Sequence, residues 1–600
     1  MMLMAQNETV NIFYSCDGQF LKYTAVSIFS LMKNSAKDRR YHIHVLHTDI
    51  EPVLQKRLLD MQNDTFKITF DNVCEYLDEV CERLPLRDYY SSTTYYRLFI
   101  AEMYPDVDKA IYIDSDTVVE GDVSELYGTD ISDYMVAACR EQAMVQEDVY
   151  GTYVERCLGI DRNSYFNAGV LLINCKKFRE LHVLDSFVSL LGIYNFRVTQ
   201  DEDYLNVICK DHVLFMPQCW NAEVFGVMDL EPGACKIIHY IMVSKPWHYA
   251  DCRLGEIFWH YAAKTPWYAE IKAVLEEYTD SEKERDAASL KRLAALAREE
   301  SERPDTYVAR IAKTRDPKRL AVLEKIDALE RVGTFDIDVE DDPPTRPLRE
   351  GEVDFFCRKP KSRVARRLAY FFARRFVNKQ IKNGELIITD VKGVENLASL
   401  KSGAVLTCNH FNAFDSFAMQ IAYERAGFNN KKPRLFRVVR EGNYTSFPGF
   451  YGFLMRHCNT LPLSSSHSVM REFMSATEQL LRDGNFVLIY PEQSMWWNYR
   501  KPKPLKQGAF RFAAKCSVPV VPFFVTMRDS AKIGADGFPI QEYTIHISEP
   551  IYPPEGISTR EASEFMLREN ERIWREIYER EYAVPLKYLS EAEIRVECEV

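Results

Sequence analysis

The stretch Ile111–Asp122, IYIDSDTVVEGD, decides how the first half of the chain reads. With the two residues before it, KAIYID (109–114) is a β-branched and aromatic run of the kind that forms a buried strand, and it ends in an acid. Asp114 and Asp116 stand two apart where that strand turns off. Such a pair aims two carboxylates at one hard divalent cation, and a diphosphate supplies the remaining oxygens. Two acids in a turn are a common string, so the pair alone is a weak signal. Its neighbours strengthen it. VNIFYSC (10–16) and YHIHVLHT (41–48) are strand patterns, TAVSIFSLMKNS (24–35) lies between them with helical spacing, and KITFDN and NAGVLLIN continue the strands. This alternation predicts an α/β layer with ligands at the carboxyl ends of the strands.

Four stretches occur in order: SSTTYYRLFIAEMYPDVDKAIYIDSDTVVEGDVSELY, YFNAGVLLINCKKFRE, QDEDYLN and IIHYIMVSKPW. Together they closely resemble glycosyltransferase family eight, retaining enzymes of the GT-A fold that use UDP-sugars. The resemblance implies a Mn²⁺ (or Mg²⁺) held by Asp114, Asp116 and His239, and a UDP-hexose donor. It places Lys245, in KPW, against the charge growing on the departing phosphate. It implies that Asp17 in SCDGQF contacts uridine, that Arg97 and Asn167 contact the donor, and that Asp201 holds sugar hydroxyls. Many relatives carry glutamine at the position of Glu202, where a nucleophile of the retaining reaction is sought. A carboxylate there reads equally as nucleophile or as hydrogen-bond acceptor. Met242 stands where the family's HxxGxxKPW has glycine, which alters the surroundings of the diphosphate.

A second motif lies nearly 300 residues on. CNHFNAFDS (408–416) sets His410 five positions before Asp415, an imidazole and a carboxylate that can orient it. The strand GAVLTC leads into it; FVLIYPEQS and LKQGAFRFAAKCSVPVVPFFV follow. Over about residues 385–550 this resembles the glycerolipid acyltransferases of the lysophosphatidate type. The resemblance implies that His410 takes the proton of an acceptor hydroxyl as it attacks the thioester of acyl-CoA or acyl-carrier protein, and that Asp415 fixes the imidazole tautomer. Two blocks depart from the family. Its EGTR appears as Glu492-Gln493-Ser494-Met495, and no arginine follows LPLSSS (461–466), where its second one is expected. These arginines grip the acceptor's phosphate in the family. Arg437, Arg440, Arg500 and Lys506 are candidates to compensate; the simpler expectation is an acceptor without that phosphate. Glu492 is retained and is expected to meet an acceptor hydroxyl.

Size and charge set the frame. Six hundred residues exceed one core. The predicted layout is a GT-A domain over 1–265, a charged helical linker with a Pro-rich hinge over 266–350, and an acyltransferase-like α/β domain over 351–600. Lys and Arg number 24 against 39 Asp and Glu in residues 1–265, and 38 against 31 in 341–600. The acidic front argues against nucleic acid, and the basic rear suits an anionic membrane surface. No apolar run reaches the ~18–20 residues of a spanning helix. No signal peptide is evident, and fifteen scattered cysteines without a CxxC pair read as reduced thiols. The expected location is the cytoplasm, peripheral on the inner face of the membrane. KSRVARRLAYFFARRFVNKQIK (361–382) sets Val364, Leu368, Phe371, Phe372 and Phe376 at helical spacing against a basic side. That fits a helix lying on lipid or, equally, one docked on its own domain. Trp496, Trp497 and Tyr499 are further candidates for lipid contact. The function expected from all this is bifunctional and bacterial in type: hexose transfer with retention, then acylation of a lipid or glycolipid hydroxyl. The alternatives are two fused enzymes with unrelated acceptors, or an active glycosyltransferase with a C-terminal module that only binds membrane or acyl chains.

Overall fold

The computed structural model describes residues 9–77, 92–228, 230, 232–340, 345–429 and 433–590. The chain forms two compact units, Met1–Lys313 and Thr314–Val600.

The first unit is built on a seven-stranded sheet. Its strands are β1 (Thr9–Ser15), β2 (Arg40–His47), β3 (Phe66–Asn72), β4 (Lys109–Ile113), β6 (Val136–Arg140), β7 (Phe166–Asn174) and β8 (Val213–Phe215), in the order β3-β2-β1-β4-β7-β6-β8. β3, β2, β1 and β4 run parallel, and β7 runs antiparallel to both its neighbours. Strands covered on both faces read as unbroken apolar runs. That is why β7, FNAGVLLIN, is buried along all nine residues. Side chains alternate between the two cores: Ala110 and Tyr112 of β4 enter one, Ile111 and Ile113 the other. A small second sheet pairs β5 (Thr117–Val119), β10 (Ile237–His239) and β9 (Ala222–Glu223), in the order β5-β10-β9. Its β5–β10 register sets Thr117 opposite His239, so the chain that leaves β4 through Asp114 and Asp116 is drawn beside the histidine.

The second unit carries its own seven-stranded sheet: β11 (Ile387–Lys392), β12 (Ala404–Thr407), β13 (Leu435–Val439), β14 (Thr460–Pro462), β15 (Phe486–Ile489), β16 (Val520–Ile533) and β17 (Pro539–Ile547). The order is β11-β17-β16-β12-β15-β13-β14. β12 lies at its centre, parallel to β15 and β16, and its four residues are fully buried. The loop leaving the carboxyl end of β12 carries His410.

The stretch 266–350 is divided between the units. The helix Asp280–Glu302, entered through a Thr279–Glu282 capping box, packs Ala297 into the first core. The helix Pro317–Arg331 and the residues after it pack Ile326 and Val339 against Trp496 in the second. The composition is polar, but a few apolar residues and three buried acids, Asp286, Glu300 and Glu330, anchor it. Residues 341–344 of the Pro-rich hinge lie outside the described residues.

Candidate active sites

In the first unit Asp114, Asp116 and His239 converge, and one ligand atom from each lies within 4.8 Å of the others. His239 Nε2 is 3.2 Å from Asp116 and 4.0 Å from Asp114. The other ring nitrogen, Nδ1, lies 2.9 Å from Asn221 Oδ1. An amide oxygen can only accept, so Nδ1 carries the proton and Nε2 is left as a donor of electrons for a metal. Gly169 on β7 makes room. A Cβ there would stand 2.3 Å from His239 Cε1 and 2.7 Å from Asp114 Oδ2. Two carboxylates and a neutral imidazole at this spacing suit a divalent cation such as Mn²⁺.

Each acid of the pair has its own counter-charge. Arg97 is 3.1 Å from Asp114 and 3.1 Å from Asp201, and it also donates to the carbonyl of Ala168. Lys245 is 2.5 Å from Asp116 and donates to the carbonyl of Tyr240. Burial pushes the Asp116 carboxyl up, but Lys245 and His239 together outweigh it and hold the group well below the usual range. Asp201 follows the opposite balance. Its burial outweighs Arg97, and the carboxyl is raised to about 6.

Glu202 begins the same helix, Asp201–Ile208, and accepts 2.8 Å from the amide of Ala168. Burial, then the neighbouring Glu141, lifts its carboxyl well above the ordinary value. The bond from the Ala168 amide shows Glu202 as a hydrogen-bond acceptor, and burial disfavours its charged, nucleophilic form. Asn167 bridges this region: its Nδ2 donates to Glu141, and its Oδ1 accepts 2.8 Å from Gly169 and 2.8 Å from Asn221. Asp17 sits in the loop after β1 and caps its own turn, accepting from the amides of Gln19 at 2.9 Å and Phe20 at 2.8 Å. Met242 has a left-handed backbone, φ 55°, in the position where the related motif has glycine. Sequence reading missed Asn221 and Glu141. Asn221 lies in QCWNAE, which has no period, and its role exists only because β9 pairs with β10.

In the second unit Asp415 opens the helix Asp415–Arg425 and accepts from His410 Nδ1. The proton therefore sits on Nδ1, which leaves the Nε2 lone pair able to accept one. Tyr490 stacks on the imidazole with centroids 4.4 Å apart. His410 and Asp415 line a cavity of about 1090 Å³, whose wall is largely apolar (Val377, Ile421, Leu454, Phe473, Phe512).

Two sequence expectations are corrected here. Glu492 does not face an acceptor. It is buried, and its carboxylate accepts from the amides of His410 at 3.0 Å and Lys503 at 2.9 Å, with the Lys503 ammonium 3.5 Å away. It positions the catalytic loop. A carboxylate with two amide donors and a buried ammonium was always going to be turned inward, but Lys503 in KPKPLKQG gave no warning of it. Trp496 and Trp497 are not lipid contacts either. Trp496 is fully buried, stacks on Phe335, and donates 2.8 Å to the carbonyl of Ile337; Trp497 lies under Arg319.

The basic helix Pro360–Lys382 is different. Ala369 is the one residue described as buried within it, while Phe371 is 61% exposed and Phe372 43%. Phe376 packs near Phe417, Phe450 and Tyr451. The inner side of the helix, with Tyr370, Val377 and Ile381, lines the cavity. No helix among the described residues is long and apolar enough to cross a membrane.

A strand-end acid pair with histidine and lysine in one α/β unit, and a histidine–aspartate base in another, define a two-site transferase. Comparison with known proteins bears this out. Residues 11–251 match the glycosyl transferase family 8 profile, and residues 388–526 match the acyltransferase profile. The chain is 32% identical over 266 residues to a putative glycosyltransferase of Haemophilus influenzae, covering 42% of this chain and 78% of that one. It is 24% identical over 287 residues to general stress protein A of Bacillus subtilis, covering 44% and 96%. It is 24% identical over 259 residues to a lipopolysaccharide 1,2-glucosyltransferase of Escherichia coli, covering 40% and 74%. The chain belongs to glycosyl transferase family 8 through its first unit and carries an acyltransferase domain in its second, which makes it a bifunctional transferase.

Proposed function

We propose that the first unit transfers a hexose from a UDP-sugar with retention, that the second acylates a hydroxyl of a non-phosphorylated lipid, and that this lipid is the glycolipid the first unit makes. Asp114, Asp116 and His239 would hold the Mn²⁺, which would supply positive charge to the donor diphosphate. Lys245 adds a second positive charge on the same side. Arg97 and Asp201 lock each other in place and present fixed hydrogen-bonding groups to the donor. Glu202, whose carboxyl burial and Glu141 raise, accepts from the amide of Ala168 and positions rather than attacks. In the second unit His410 Nε2 takes the acceptor proton, Asp415 stabilises the imidazolium that forms, and the apolar cavity takes an acyl chain.

One observation carries the choice of acceptor. Each of the four candidates to replace the missing arginines is already engaged inside the domain. Arg440 pairs with Asp338, Lys506 is 3.1 Å from Asp336, and Arg500 is 2.8 Å from Asp529. Arg437 donates to the carbonyl of Cys458 at 3.3 Å and to Gln420. A phosphate entering this cavity meets these four cations already committed, and burying it there without freeing one is costly. The test offers the whole protein lysophosphatidate and a hexosyl-glycerolipid at equal acyl donor. Faster acylation of the hexosyl-glycerolipid is expected; preference for lysophosphatidate would refute a neutral acceptor.

The exposed aromatic face of the helix Pro360–Lys382, with its arginines, suits an anionic bilayer surface beside the cavity. Replacing Phe371 and Phe372 by serine should cut sedimentation with anionic vesicles by about tenfold or more, because even partial burial of the two rings in lipid contributes more than the ~1.4 kcal/mol of a tenfold change. Salt should weaken the binding of the parent protein. Equal sedimentation of parent and variant would show that this face does not meet lipid.

A further inference from the structure

The segment Phe335–Glu340, FDIDVE, closes over the acyl-transfer cavity from within its own unit. Asp336, Asp338 and Glu340 all line that cavity together with His410. The segment is fastened along its length. Ser494 Oγ donates 2.6 Å to the carbonyl of Phe335, Trp496 Nε1 donates 2.8 Å to the carbonyl of Ile337, and the amide of Met495 donates 2.9 Å to Asp338 Oδ1. The other oxygen of Asp338 takes Arg440, whose guanidinium also reaches the carbonyl of Gln493 at 2.7 Å. Asp336 takes Lys506, and Glu340 takes Arg319. The carboxylate of Asp338 thus sits between a backbone amide and a guanidinium, which is the donor set that a phosphate oxygen would seek. The amide belongs to Met495, in the loop that also holds His410: the amide of the next residue, Trp496, lies 3.4 Å from the His410 carbonyl.

We propose that Asp338, seconded by Asp336, is a specificity-determining residue of the acyltransferase. Its carboxylate occupies the anion position at the cavity and commits Arg440, so that phosphorylated acceptors are rejected and hydroxyl acceptors without phosphate are taken. This deepens the neutral-acceptor proposal and depends on it. Discrimination of this kind combines a blocked attraction with a built-in repulsion, since any phosphate would also face the Asp336 and Asp338 charges.

The test variant is Asp338→Asn. Its amide oxygen keeps the bond from Met495 and its shape keeps the packing, while the charge is gone and Arg440 is released. Binding of glycerol 3-phosphate to the whole protein is measured by calorimetry, and acyl transfer to lysophosphatidate and to a hexosyl-glycerolipid is measured in parallel. In Asp338→Asn, glycerol 3-phosphate should bind about tenfold tighter or more, and the lysophosphatidate-to-hexosyl-glycerolipid rate ratio should rise by a similar factor. The double variant Asp338→Asn, Arg440→Ala should lose both gains. If the parent protein prefers the hexosyl-glycerolipid and Asp338→Asn changes neither binding nor ratio, the role of Asp338 is refuted while the neutral acceptor stands. If the parent prefers lysophosphatidate, the neutral acceptor falls first. A gain that survives loss of Arg440 would also refute the assignment. Asp338→Ser serves as a second variant should the asparagine form not fold, and the same binding measurement decides.

Discussion

His410→Ala should abolish acyl transfer and leave sugar transfer at its parent rate. A positioned base contributes about 10²–10⁴-fold, and here no other group stands ready to replace it: Asp415 is buried behind the imidazole and Tyr490 covers its face. The substitution spares the loop, because Glu492 holds residue 410 by its backbone amide and not by its ring. Asp415→Asn should fall by a similar order. An asparagine that turns its amide nitrogen toward Nδ1 stabilises the tautomer with the proton on Nε2, which cannot accept the acceptor's proton. Transfer of a labelled acyl group, read beside transfer of a labelled hexose by the same sample, measures both. Residual acyl transfer within tenfold of the parent in His410→Ala would remove the histidine from the mechanism and leave the second unit as a binding module.

The complementary loss is expected at Asp116→Asn. Sugar transfer should fall by on the order of 10³-fold, comparable to loss of a preorganised charge from a dry site, while acyl transfer continues. The substitution removes one of two acidic ligands. It also strands Lys245, whose partner across 2.5 Å is gone. Chelation of the parent protein should give the same selective loss, and added Mn²⁺ should restore it. The acyl-transfer rate reports in each case whether the chain is still folded. Full sugar transfer in excess chelator would mean that Asp114, Asp116 and His239 meet for another reason.

Much of this was readable in advance, and the reasons are local. β1, β2, β4 and β7 announce themselves because strands covered on both faces are written as apolar runs, and the acids at the end of β4 stand out against them. The pairing of His410 with Asp415 was readable because one short loop and one helix start place both. What stayed hidden depends on contacts distant in sequence. Nothing near Glu492 says that its partners are the amides of residues 410 and 503. Trp496 and Trp497 look like lipid contacts until Phe335 and Arg319, more than 150 residues away, are seen to cover them. The acidic run FDIDVE (335–340) reads as part of a hinge by composition, yet Asp338, Asp336 and Glu340 are spent on Arg440, Lys506 and Arg319. The helix Pro360–Lys382 was ambiguous by sequence, because its period does not say what covers it; one side is docked through Ala369, Tyr370 and Phe376, while Phe371 and Phe372 stay exposed.

The helix Asp280–Glu302 bears on where the sugar-transfer module ends. The family match stops at residue 251, but the module does not. Glu300 accepts from Tyr194 at 3.1 Å and pairs with Arg197 at 2.9 Å, and Asp286 accepts from Tyr249 at 2.8 Å. Ala297 and Leu293 cover the core beneath. A gene trimmed to the family boundary would therefore encode a protein with a raw apolar flank and without the carboxylates that Tyr194 and Tyr249 donate to, prone to clump during purification. Trimmed after Lys313, it would carry its own lid.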